Sequence, residues 1–127
     1  MAERSTSNST GMVQLIVTSD EMQKLLQRAA DKTVLIDFTA TWCVPCQKIK
    51  PLVHQLASQF GDQFIVCEVD VDKSETLRAH FDVTSMPTFV MVRHNKVIYQ
   101  QKNGNATTLT STMTLVASAT HPHLLPG

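Results

Sequence analysis

Two cysteines separated by two residues, in the run Trp42-Cys43-Val44-Pro45-Cys46, stand between an apolar stretch, Val34 to Phe38, and a segment with helical spacing. That placement suits disulfide chemistry. Cysteines so spaced at the first turn of a helix lie close enough to bridge, and the helix N-terminus supplies unpaired N–H donors and positive dipole potential that favour a thiolate. Cys43 is nearer to the helix end and to solvent, which makes it the better nucleophile. Cys46 falls one turn further in, where it can attack a mixed disulfide on Cys43 but is poorly placed to meet a bulky protein first. Pro45 fits a first helical turn, where no N–H is needed.

The elements that would hold this pair can be read from apolar spacing. Met12 to Val17 reads as a short strand, followed by Thr18 and Glu21 at capping-box spacing before a helix whose apolar face is Met22, Leu25, Leu26 and Ala29. Thr33 to Thr39 is almost wholly apolar and branched, as in a strand buried on both faces of a partly parallel sheet. Beyond the cysteines, Ile49, Leu52, Val53, Leu56, Ala57 and Phe60 keep helical spacing, with Pro51 expected to kink the helix. Phe64 to Val71 reads as another buried strand and Ser74 to Phe81 as a short helix. Thr88 to Arg93 and Lys96 to Gln101 flank His94-Asn95 as an antiparallel hairpin. Thr107 to Ala119 has helical spacing at Leu109, Met113, Val116 and Ala117, although five threonines lower its propensity. The order implies an α/β fold, a central mixed sheet of five strands with four helices covering both faces.

The chain of 127 residues suits one domain with a real core. Residues 1–11, MAERSTSNSTG, read as a flexible lead-in, residues 12–119 as the domain, and residues 120–127 as a tail with two prolines and a terminal glycine. The formal charge is zero and no basic stripe appears, which argues against a nucleic-acid or anionic-membrane partner. No apolar stretch approaches the roughly 18 residues of a membrane span. Three cysteines are too few for a secreted disulfide scaffold, and no apolar signal-peptide core precedes the domain. The expectation is a reducing, cytoplasmic setting. A metal site on Cys43 and Cys46 would need further ligands at motif spacing; Cys67, inside a buried strand, reads as an inert core residue, His54, His80 and His94 have no partner motif, and His121 and His123 around a proline read as incidental.

These residues together resemble the thioredoxin family from about Met12 to about Ala119. The likeness rests on Val34-Leu35-Ile36-Asp37-Phe38 leading into Ala40-Thr41-Trp42-Cys43-Val44-Pro45-Cys46, on Pro51, on Val69-Asp70-Val71-Asp72, on Ser85-Met86-Pro87-Thr88-Phe89, and on Gly104, in the family's order and spacing. The resemblance implies the thioredoxin fold and a protein-disulfide reductase with no bound cofactor. Cys43 would attack a client disulfide and Cys46 would resolve it. A thioredoxin reductase drawing on NADPH would recharge the pair, and disulfide-containing proteins such as peroxidases would be clients. It also implies that Asp37, in an apolar run where a raised pKa is the usual response, lies beneath Cys46 and assists its proton transfer through water. A cis bond between Met86 and Pro87 is implied to face the cysteines and to present the Met86 backbone to an extended client segment. Trp42, Met86 and Gly104 would form an apolar contact surface beside Cys43, with Val44, Pro45 and Pro87 bordering it.

Three departures stand out. Val44 occupies a place where glycine is usual in the family, adding stiffness and bulk beside the nucleophile. Glu68 occupies a place where many members carry lysine, which would remove a positive partner from Asp37. Asn95-Lys96 stands for a more glycine-rich turn and reads as neutral. Two other readings compete with a cytoplasmic reductant acting as a monomer: an oxidase or isomerase of secreted proteins, and a binding module whose partners sense only the reduced surface.

Overall fold

The computed structural model describes residues 12–121; the expected lead-in, residues 1–11, and the tail from residue 122 onward lie outside the described residues. The strands are β1 (Val13–Leu15), β2 (Thr33–Thr39), β3 (Phe64–Asp70), β4 (Thr88–Arg93) and β5 (Lys96–Lys102), and the helices α1 (Ser19–Arg28), α2 (Val44–Gln59), α3 (Glu75–His80) and α4 (Ala106–Thr120). They form one mixed sheet in the order β1-β3-β2-β4-β5. β1 and β2 each run parallel to β3, whereas β2 pairs antiparallel with β4 and β4 with β5. Every residue of β2 is buried, as its near-continuous apolar sequence requires.

Side-chain alternation along β2 divides the core into two layers. Val34, Ile36 and Phe38 pack with Met22 and Leu25 of α1 and Leu77 of α3. Leu35 packs on the other face with Ile49, Val53 and Leu56 of α2 and Leu109 and Met113 of α4. Asp37 and Thr39 follow Leu35 at even spacing and therefore share the α2-covered face.

Local chemistry explains the element boundaries. The strand expected over Met12 to Val17 is only Val13–Leu15, because the Val17 N–H donates to Glu21 Oε1 at 2.8 Å and its carbonyl accepts from Ser74 Oγ at 2.7 Å. Neither group remains for a ladder. The helix expected from Ser74 to Phe81 is Glu75–His80, with Ser74 and Phe81 as its flanking cap residues, and the Ser74 hydroxyl, spent on Val17, makes no capping bond to α3. Thr18 and Glu21 form the expected capping box. Helix α2 runs unbroken through Pro51, whose missing N–H leaves the Gln47 carbonyl without its intrahelical partner. His94 and Asn95 both have positive φ, 52° and 64°, as a two-residue type I′ hairpin turn demands. α4 starts after Asn105, whose side chain accepts from the Thr108 N–H, and extends through Thr120, one residue past the expected end. Its threonines are accommodated by hydroxyls that donate back to carbonyls four residues earlier, Thr110 to Ala106 and Thr114 to Thr110. Among the described residues no helix is long and apolar enough to cross a membrane.

Candidate functional site

The end of β2 delivers the chain through Ala40 to a tight turn, where the Cys43 N–H donates to the Ala40 carbonyl at 3.2 Å. α2 begins there. Cys43 is its N-cap, with Val44 and Pro45 opening the first turn. The Cys46 N–H donates to Cys43 Sγ at 3.2 Å, so the sulfur takes the part that a serine or aspartate oxygen usually plays at a helix start. A disulfide joins Cys43 to Cys46 across a Cα separation of 5.3 Å. Cys43 is 6 % exposed and Cys46 2 %, in keeping with the order of access expected from their positions.

The rim of the pair is apolar and open. Trp42 is 63 % exposed, and its indole Nε1–H donates to Asp72 Oδ2 at 2.8 Å, while the Asp72 N–H donates to Asp70 Oδ1 at 2.9 Å. The ring is thus clamped to the loop after β3. Val44 is 61 % exposed and Pro45 is also exposed. Met86 is half-buried against the cluster that contains both cysteines. The Met86–Pro87 peptide bond is cis, and the Pro87 carbonyl accepts from the Gly104 N–H at 2.9 Å, which ties the turn before α4 to this loop.

Beneath α2, Asp37 is 3 % exposed and its Oδ1 has no hydrogen-bond partner among the described residues. Burial first, and the Glu68 carboxylate second, push its carboxyl up to about 7, while Lys50 pulls it back down. Lys50 Nζ lies 3.4 Å from Glu68 Oε2. Replacing a family lysine with Glu68 therefore does not leave Asp37 without a positive neighbour: helix α2 supplies one. Sequence reading missed Lys50, although its place one turn after Cys46, on the same helix face, was a usable signal. It also missed Asp72 as the anchor of Trp42.

Cys67 is fully buried, and burial pushes its thiol far above the range in which thiolates form in water. His94 does find a partner, Asp31 Oδ1 at 3.2 Å, and the His80 ring meets Phe81 edge-on at 4.8 Å. Both contacts are structural and lie outside the cysteine rim. The described residues contain no group of three or more His, Cys, Asp or Glu side chains that could hold a metal ion.

The thioredoxin family model matches residues 13–115. The chain is 36 % identical over 102 residues to thioredoxin of Gallus gallus, covering 80 % of this chain and 96 % of that one. It is 37 % identical over 103 residues to thioredoxin of Rattus norvegicus, covering 81 % and 97 %. The X-ray structure of Fasciola hepatica thioredoxin superposes with a TM-score of 0.78 at 33 % identity, covering 81 % of this chain and 98 % of that chain.

Proposed function

This chain belongs to the thioredoxin family of disulfide oxidoreductases, and from that premise we propose that Cys43 and Cys46 reduce disulfides in client proteins, with Cys43 attacking and Cys46 resolving. The observation that carries the reading is the Cys43–Cys46 disulfide at the start of α2 with Cys43 as N-cap. In the reduced protein the Cys46 N–H and the helix dipole stabilise negative charge on Cys43 Sγ, the state that attacks. The Cys43 thiolate bonds to one client sulfur, the client S–S bond breaks, and the departing thiolate takes up a proton. Cys46 then loses its proton to Asp37 and attacks Cys43 Sγ, the bond from Cys43 to the captured client sulfur breaks, and that sulfur leaves as a thiolate and is protonated. Two electrons pass to the client, and the protein keeps the disulfide.

Asp37 suits the base role because a carboxyl with its pKa at about 7 exchanges protons readily near neutral pH. Trp42, Pro45, Met86 and Gly104 form the surface on which the client lies, with the buried Pro87 behind it and the Met86 backbone pairing with an extended segment. A thioredoxin reductase using NADPH restores the dithiol, clients include peroxidases, and the protein works as a monomer in the reducing cytoplasm.

Cys46→Ser tests this reading directly. Incubated with a disulfide-containing peroxidase, the variant should accumulate a mixed disulfide through Cys43, visible as a mass adduct that dithiothreitol removes, and Cys43→Ser should form none. Turnover by Cys46→Ser at the parent rate would refute the resolving role, and unchanged cellular function without turnover would favour a binding module.

A further inference from the structure

We propose that Val44 is a specificity-determining residue that, together with Trp42, favours client disulfides carrying an apolar residue beside the attacked cysteine. The inference rests on the reductase reading and adds to it the substrate class. Cys43 lies between two large apolar side chains, its neighbours on either side in the chain, each more than three-fifths exposed while Cys43 itself is buried. A client residue next to the sulfur under attack would lie against one or both of them. An exposed valine adds little to the core, and it is a weaker helix former than alanine at this first helical position, so its side chain is not explained by folding.

Both walls are ordered in advance. The Trp42 ring is clamped by Asp72, and a β-branched side chain at a helix start has few rotamers to lose. Covering them therefore costs little conformational entropy, and the contact adds almost undiminished to the binding of the mixed-disulfide transition state. Met86, packed on the cysteine cluster, continues the apolar surface. A neutral polar residue at the same place in the client would have to shed water against these groups without gaining a hydrogen bond. The exchange is the same two-electron transfer, the protein dithiol being oxidised and the client disulfide reduced.

Two synthetic peptides test this, each closed by one disulfide and identical except for Leu or Asn beside the attacked cysteine. The parent should show a kcat/KM roughly three- to tenfold higher for the Leu peptide, the scale of one partly covered apolar side chain. Val44→Thr keeps shape and stiffness but exchanges a methyl for a hydroxyl, and should lower the ratio to the part that Trp42 and Met86 retain while its reduction potential stays at the parent value. Val44→Ile should keep or widen the preference. Equal rates on the two peptides for the parent, or an undiminished preference in Val44→Thr, would overturn the role of Val44 and leave the reductase reading standing. If the reduced parent reduces neither peptide, the reductase reading fails and this inference with it.

Discussion

Glu68 stands directly across the β2–β3 ladder from Asp37, so two carboxylates share one strip of sheet beneath α2. Burial and this neighbour raise the Asp37 carboxyl from 3.8 to about 7. Between those values the native state holds a proton that the unfolded chain releases. Stability therefore falls as pH rises from about 4 to about 7 and levels off above. Asp37→Asn should remove that fall. It should match the parent near pH 3 and exceed it at pH 8 by on the order of 4 kcal/mol if the whole shift counts. Urea unfolding at several pH values measures the difference, and a gain independent of pH would contradict the burial account. The same variant should release client from the mixed disulfide roughly 10²-fold more slowly, the lower end of a general base's contribution.

The charges around Asp37 should tune the pH at which resolution becomes fast. Glu68 raises the Asp37 pKa and Lys50 lowers it. Glu68→Gln removes the repulsion and frees Lys50 from its 3.4 Å ion pair, so both changes favour the ionised carboxylate. The midpoint of the resolving step should move to lower pH in Glu68→Gln and to higher pH in Lys50→Gln. Stopped-flow resolution of a preformed mixed disulfide from pH 5 to 9 reads both, and a shift of the same sign in the two variants would remove the electrostatic explanation.

Apolar spacing was enough to place β2 and α2, because β2 is buried on both faces and α2 keeps one apolar face throughout, whereas β5, mostly exposed, was placed by the His94-Asn95 turn and the start of α1 by its capping box. The boundaries were less legible where one side chain bonds to a distant backbone group. Ser74 spends its hydroxyl on the Val17 carbonyl, 57 residues away in sequence, and so helps to end β1, with Glu21 taking the Val17 N–H, and makes no capping bond to α3. The cysteines, Trp42 and Asp37 were legible from type and local context. Lys50 was legible only as a residue on the Cys46 face of α2, and its pairing with Glu68, like that of Asp72 with Trp42, was not, since each partner lies on another element.

The capping box at the start of α1 is open to a simple stability test. Thr18 Oγ1 accepts from the Glu21 N–H at 3.0 Å, and Glu21 Oε1 accepts from both Val17 and Thr18 N–H groups. Thr18→Ala leaves the Glu21 N–H without this acceptor, and should cost about 1 kcal/mol in urea unfolding. Disulfide reduction should be unchanged, because the capping bonds are made among Val17, Thr18 and Glu21 and none reaches the cysteines or their rim. A loss of activity in the folded variant would show coupling between α1 and α2.

Gly104 carries a steric demand that links stability to the site. A Cβ at this position would run into the Phe89 ring and come within 2.8 Å of Gln101 Oε1. Phe89 is fully buried in the α2–α4 layer and cannot swing away. The loop would have to move, and with it the 2.9 Å bond from Gly104 N–H to the Pro87 carbonyl. Gly104→Ala should therefore cost about 1–3 kcal/mol, the usual range for overpacking, and lower kcat/KM for protein clients by displacing the Met86-Pro87 loop. Phe89→Leu makes room, so the alanine should cost less in that background. An equal cost in both backgrounds would mean that the penalty comes from the backbone of Gly104 and not from the ring beside it.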